Sequence, residues 1–233
     1  MTERIFAQEQ LSALPEHGAA AQKIRALFLA YGGGYDFCRF FRQGDSYLAA
    51  LDGSFIICAQ PGADLRELAQ FLTVHGFTGL FCDERTGEAL APMLCVRSET
   101  VNLMERIGGG SGELPPEKSP SEVWQVIGSR FEIPFEPWYL DMSHRVRHGI
   151  SRCFSDGRAA LVVQHELNGE ALISQVSVLK EYEGQGFAGA LVSRVCSALP
   201  CRVQVLCEDR LRGFYEKCGF TLSPEKFISA VRI

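Results

Sequence analysis

A chain of 233 residues, 46% hydrophobic and 22% charged, has the make-up of a folded protein with a sizeable core in one or two domains. Its formal net charge of −5 argues against nucleic acid as a partner, because phosphate binding needs a basic face. No apolar run approaches the roughly 20 residues of a membrane helix. The opening MTERIFAQEQ also lacks the basic start and apolar core of a signal peptide, so a cytoplasmic protein without membrane contact is expected.

The N-terminal half starts with a helical stretch from Ala19 to Tyr31. Three strand-like runs follow, YDFCRFFRQ, SYLAALD and SFIICAQ, with Gly44-Asp45 and Asp52-Gly53 at the turns. A helix from Asp64 to His75 and a strand, TGLFCDE, come next. In IGGGSGELPPEKSP, Ile107 to Pro120, glycine, serine, proline and charge replace the periodicity, which marks a linker. The expected division is an N-terminal domain at residues 1–107, a linker at 108–120 and a C-terminal domain at 121–233.

The C-terminal half begins with a helix from Ser121 to Ser129, capped by Ser121. An aromatic, proline-rich segment, FEIPFEPWYLDMS, precedes a second helical stretch at Ser143 to Arg147. GISRCFS, RAALVVQHE and EALISQVSVL read as an antiparallel meander, because SDGR and LNGE supply turn residues that tolerate positive φ. A glycine-rich loop leads into an apolar helix, Phe187 to Leu199. A strand at Arg202 to Leu206, a short helix near Leu211 to Lys217 and a last strand at Phe227 to Ile233 complete the chain. The two halves share an order of elements, which suggests a duplication at the level of fold.

The nine cysteines, an odd number with no CxxC, read as reduced thiols buried as small hydrophobes. His144 and His148 share a helical face at a spacing that can hold zinc. No cysteine or third histidine is near, so a polar surface with Arg145 and Arg147, and no metal, is expected.

The most informative run is Val176 to Val195, where a strand passes through Glu183-Gly184-Gln185-Gly186-Phe187-Ala188-Gly189 into a helix. Glycines let the chain turn tightly and bring bare N–H groups close to a ligand. The first N–H groups of a helix are unsatisfied and carry the positive end of its dipole, so a pyrophosphate fits there. The plain alternative is a tight strand-to-helix turn.

Glu181-Tyr182-Glu183-Gly184-Gln185-Gly186 resembles the Q/R-x-x-G-x-G/A motif of the GNAT (GCN5-related N-acetyltransferase) superfamily. Phe214-Tyr215-Glu216-Lys217-Cys218-Gly219-Phe220 is similar to that family's second hallmark, an aromatic helix ending in Tyr-Glu-Lys-x-Gly-Phe. The resemblance covers Ser121 to Ile233. It implies an α/β (α+β) fold with a mixed, mostly antiparallel sheet flanked by helices, preceded by a related N-terminal domain that lacks the phosphate loop.

The resemblance further implies acetyl-CoA as co-substrate. Its pantetheine arm would pair with backbone around Val176 and Val178. Its pyrophosphate would be held by N–H groups of Gly184, Gln185, Gly186, Phe187 and Ala188. The implied splayed pair of parallel strands is EALISQVSVL with CRVQVLC. Where the family opens its motif with Gln or Arg, this chain has Glu181, with Glu183 beside it. In the N-terminal half Asp64 stands at the corresponding helix start, where its side chain would cap the N–H groups and repel an anion.

Acyl transfer to an amine needs a neutral amine, a polarised thioester and a proton for the leaving thiolate. Tyr215 occupies the family's general-acid position, and Glu208 is the candidate base. The aromatic and acidic residues from Phe131 to Asp141 suit a pocket for an amine on an apolar or flat body. The expected partner is a small-molecule or peptide amine; a homodimer stays open. Two other readings remain: an acyl-CoA-binding sensor without turnover, and an interaction protein acting through its N-terminal half.

Overall fold

Alternation and glycine turns build an antiparallel meander in the N-terminal half. Strands β1 (Glu3–Ile5), β2 (Cys38–Gln43), β3 (Ser46–Leu51) and β4 (Ser54–Cys58) pair antiparallel in sequence. The turn between β3 and β4 places Asp52 at φ 48° and Gly53 at φ 82°, the geometry a two-residue hairpin requires. The computed structural model describes residues 1–233 and resolves two compact units, Met1–Asn102 with Pro224–Ile233, and Leu103–Ser223.

In the first unit, α1 (Ala19–Tyr31) precedes the meander and α2 (Leu65–His75) connects β4 to β5 (Gly79–Asp83), which lies parallel to β4. Helix α3 (Glu84–Leu90) and the long strand β6 (Val96–Ile107) follow. The final strand of the chain, β11 (Thr221–Arg232), pairs antiparallel with β5 from Phe227 to Val231. Its Ile228 and Ala230 are buried among Phe55, Leu68, Leu72, Leu80 and Leu90. Each fully buried side chain of this size contributes about 1.5–3 kcal/mol. Gly87 in α3 sits over β11 so closely that a Cβ there would lie 2.5 Å from Cβ of Ile228.

In the second unit, α4 (Pro120–Ile127) and α5 (Phe135–Arg147) precede a meander of β7 (Arg152–Ser155), β8 (Ala159–Leu167) and β9 (Glu170–Val178). Helix α6 (Phe187–Ala198) leads to β10 (Arg202–Cys207), parallel to β9, and α7 (Arg212–Lys217) leads to β11. The alternation of β8 splits its side chains between two layers. Ala159, Leu161 and Val163 pack with Val192 and Val195 of α6, while Ala160 and Val162 pack with Val123, Val126 and Ile127 of α4. The Asn168-Gly169 turn has φ of 50° and 76°, as its hairpin demands.

The order β2-β3-β4-α2-β5-α3-β6 recurs as β7-β8-β9-α6-β10-α7-β11, with the parallel pair at the same place in each run. The chain is thus a mixed, mostly antiparallel α/β structure flanked by helices, with a related N-terminal unit.

Several sequence expectations shift. Residues 224–233 lie with the N-terminal unit, and the second unit begins within β6 rather than after a linker. The glycine run expected as a linker is tied down: Gly108 donates to Cys201 O at 2.9 Å and Ser111 to Ser197 O at 3.1 Å. A Cβ at Gly108 would stand 2.5 Å from Cys201 O, so close approach, not freedom, explains that glycine. Ser119, not Ser121, caps α4, in a capping box with Glu122. Helix α5 starts at Phe135, well before Ser143, because Pro137 falls in the first turn, where its missing N–H has no partner to lose.

Candidate functional site

The ladder between β9 and β10 runs from Glu170↔Arg202 to Ile173↔Val205, although β9 continues to Val178 and β10 to Cys207. Beyond Ile173 the path of β9 changes. Between the pairs Val162↔Ser174 and Ala160↔Ser177 it carries one residue more than β8, and Gln175 has φ 52°. A bulge of this kind re-aims the backbone that follows. Trp138 of α5 donates its indole N–H to Gln175 Oε1 at 3.0 Å and so holds the bulge from outside the sheet.

After β9 the chain makes a 3-10 turn at Lys180–Tyr182 and enters the glycine loop. Gly184 (φ 72°) and Gly186 (φ 85°) both need the left-handed region that glycine takes without strain. A Cβ at either would meet nothing within 4 Å, so the backbone there faces open space. No side chain caps α6, which leaves its first N–H groups directed at that space. A cleft of about 530 Å³ lies over them, lined among others by Val178, Tyr182, Gly184, Gly186, Phe187, Ala188 and Lys217. An adjoining cleft of about 290 Å³ shares Val178, Ala188 and Phe214 with it and adds Val176, Glu208 and Tyr215.

Of the expected cofactor residues, Val176, Val178, Gly184, Gly186, Phe187 and Ala188 all line these two clefts. Gln185 does not; its amide turns back to donate to Glu181 O at 2.9 Å. The carboxylate of Glu183 forms an ion pair with Arg130, which offsets its charge beside the loop. Arg158 stacks 3.9 Å from the ring centre of Phe187, a further cation near the helix start. Arg130 and Arg158 escape the sequence reading because each comes from a segment outside the glycine motif, and Lys217 is read there only as part of the second hallmark.

Tyr215 is buried, 5% exposed, among Cys196, Val205, Cys207 and Phe220. It nevertheless lines the smaller cleft, and its hydroxyl makes no hydrogen bond within the protein. Burial, then the neighbouring thiols of Cys207, Cys218 and Cys196, push its pKa above the ordinary tyrosine value. Glu208 lines the same cleft but is bound by Arg210, through Nε at 2.5 Å and Nη2 at 3.1 Å. The Arg210 hydrogen bond holds its carboxyl below the usual range.

Of the aromatic segment Phe131 to Asp141, only Phe131 lines either of these two clefts. Trp138 packs against Trp124 at 4.8 Å instead, and Phe135 against Trp124 at 5.2 Å. His144 and His148 stack at 4.1 Å, and no group of three or more candidate metal ligands exists.

The equivalent place in the N-terminal unit is closed. Asp64 accepts from Arg66 N–H at 3.1 Å and Glu67 N–H at 3.0 Å, which satisfies the start of α2. The space between Gln60 and Arg85 there is about 110 Å³.

Residues 149–222 match the family model described as the acetyltransferase (GNAT) domain. Over these residues the C-terminal unit is similar to a GNAT domain. Solved structures agree on the fold. A GCN5-related N-acetyltransferase from Kribbella flavida aligns at 13% identity over 91% of this chain and 93% of its own, with a TM-score of 0.59. A tandem GNAT protein from the clavulanic acid biosynthesis pathway aligns at 12% identity over 99% and 98%, with a TM-score of 0.57. An acetyltransferase from the GNAT family of Colwellia psychrerythraea aligns at 12% over the whole of both chains, at 0.53. No curated protein matches the chain. No helix is long and apolar enough to cross a membrane. A GNAT domain supports acyl-CoA-dependent N-acyl transfer as the class of activity, and such domains generally bind acetyl-CoA.

Proposed function

We propose that the chain transfers an acetyl group from acetyl-CoA to a primary amine, at one site in the GNAT domain. The residues present suit the co-substrate: a glycine cradle open on its ligand side, an uncapped helix start, and a strand bulge that frees backbone at Val176 and Val178. Acetyl-CoA would supply the acyl group as a thioester. The backbone of Gly184, Gly186, Phe187 and Ala188 would hold its pyrophosphate, while the N–H of Gln185 already donates to Tyr182 O at 3.4 Å.

The observation that carries the catalytic reading is the Tyr215 hydroxyl, which borders the cleft with no internal partner and is held protonated by burial. As the amine nitrogen forms its bond to the acyl carbon and the carbon–sulfur bond breaks, the sulfur takes the proton of Tyr215 Oη. The proton lost by the amine passes to Glu208 or to water and restores the tyrosine. Glu208 is the only carboxylate lining this cleft, and its pair with Arg210 must open before it can accept. That pair is also what favours the second reading, a module that binds acyl-CoA without turnover. Thiol release from acetyl-CoA with a panel of amines separates the two: binding without release leaves only the sensor.

A further inference from the structure

The charged groups of the smaller cleft are Arg130, Arg210 and Glu208: two cations against one anion. Each cation is already paired with one carboxylate, Arg210 with Glu208 and Arg130 with Glu183, but both guanidinium groups keep unused donors. Glu208 is engaged by Nε and Nη2 of Arg210, so its carboxylate is not free for a cationic ligand, while Nη1 of Arg210 keeps its donors. Arg130 uses Nη2 on Glu183, which lies outside this cleft, and keeps Nε and Nη1. The remaining lining is mostly apolar, with Phe131, Val176, Leu211 and Phe214 beside Ser177 and Tyr215. At about 290 Å³ the space is at the small end for ligand pockets, and a pantetheine arm along Val176 and Val178 would take part of it.

We infer that the acyl acceptor is a small amine carrying a carboxylate and an apolar body, of the amino-acid class, with the carboxylate held by Arg210 and Arg130. A polycation such as a polyamine would enter a cleft whose one carboxylate is already engaged and whose unused charged groups are donors, so it would find no acceptor there. An acceptor carboxylate gains bidentate, charge-assisted hydrogen bonds from the same groups. This inference rests on the proposed acetyl transfer.

The test begins with calorimetric titration of acetyl-CoA into the full chain, which reports on the functional reading alone. Thiol release is then measured for amines matched in body and differing in charge: phenylalanine, phenylalaninamide and phenethylamine; leucine and leucinamide; and spermidine. The carboxylate-bearing members should exceed their amides by at least about tenfold in kcat/KM, the worth of a charge-assisted hydrogen bond. Arg210→Gln should bring the two within about threefold of each other by raising KM for the carboxylate alone, with KM for acetyl-CoA unchanged. Equal or better turnover of the amides or spermidine overturns the inference while leaving acetyl transfer standing. Acetyl-CoA binding with no turnover of any carboxylate-bearing amine overturns the inference too. Absence of acetyl-CoA binding removes the functional reading, and this inference with it.

Discussion

Trp138 reaches out of α5 to donate its indole N–H to Oε1 of Gln175, the one residue of β9 at positive φ. The bulge is therefore set from α5, and under the proposed function Trp138 would act on the strand that holds the cofactor rather than on the acceptor. Trp138→Phe keeps an aromatic ring beside Trp124 and removes the hydrogen bond. KM for acetyl-CoA should rise by roughly two- to tenfold, the range of one hydrogen bond, with kcat nearly unchanged. Steady-state kinetics with each substrate varied in turn checks this. A rise confined to the acceptor KM would place Trp138 at the acceptor instead.

Tyr215→Phe preserves the packing against Phe214 and Phe220 and removes only the hydroxyl. Turnover should fall by roughly 10²-fold, the low end for positioned proton transfer. Because the hydroxyl has no partner inside the protein, the thermal midpoint should hold or rise slightly. The upward pKa shift keeps Tyr215 protonated at and above the ordinary tyrosine pKa. The wild-type kcat profile should therefore show no alkaline fall from this group near pH ~10. Wild-type kcat in folded Tyr215→Phe would remove the residue from the chemistry.

One acetyl-CoA should bind per chain, since Asp64 satisfies the N–H groups at the start of α2 while Gly186 leaves those of α6 open. Gly186→Glu sets a carboxylate in that opening and strains a residue at φ 85°. Calorimetry should give a stoichiometry near one for the wild type and no measurable binding for a variant that still melts cooperatively. A stoichiometry near two would mean the N-terminal unit binds as well.

Stability should fall steeply in alkali. Burial raises the thiols of Cys82, Cys153 and Cys196 to about 12, and those of Cys58, Cys201 and Cys207 to about 11, from 9.0. The folded state thus holds protons that the unfolded chain gives up first. This stabilisation is complete below the unfolded value and is lost as pH climbs towards the folded values. Urea midpoints should change little up to pH ~8 and drop by pH ~10. A flat midpoint across that window would show that these thiols ionise in place. Of the nine cysteines only Cys95 is exposed, so one thiol should react rapidly with a disulfide reagent at neutral pH.

Gly184, Gly186 and the Tyr215 helix are legible in the sequence because local backbone demands and a short motif carry them. Asp64 is legible for the same reason: a cap is written within one turn of its helix. The Arg130–Glu183 pair is not, since only the folded meander brings the end of α4 to the glycine loop. Nor is β6, whose Arg97, Ser98, Glu99 and Thr100 are all exposed and break the apolar alternation that marks a strand. The place of β11 is hidden as well. Pro224 interrupts its pattern, and the sequence cannot say which parallel pair a last strand will border.

Because Ile228 and Ala230 belong to the core of the first unit, that unit is finished only by residues that follow the whole of the second unit in the chain. Domains generally fold in order as they leave the ribosome, the earlier one first. Here the earlier unit must wait, with β5 unpaired on one side, until residues 224–233 have followed the whole of the second unit out of the exit tunnel. Loss of residues 224–233 would therefore damage the first unit, at the opposite end of the sequence from the cut.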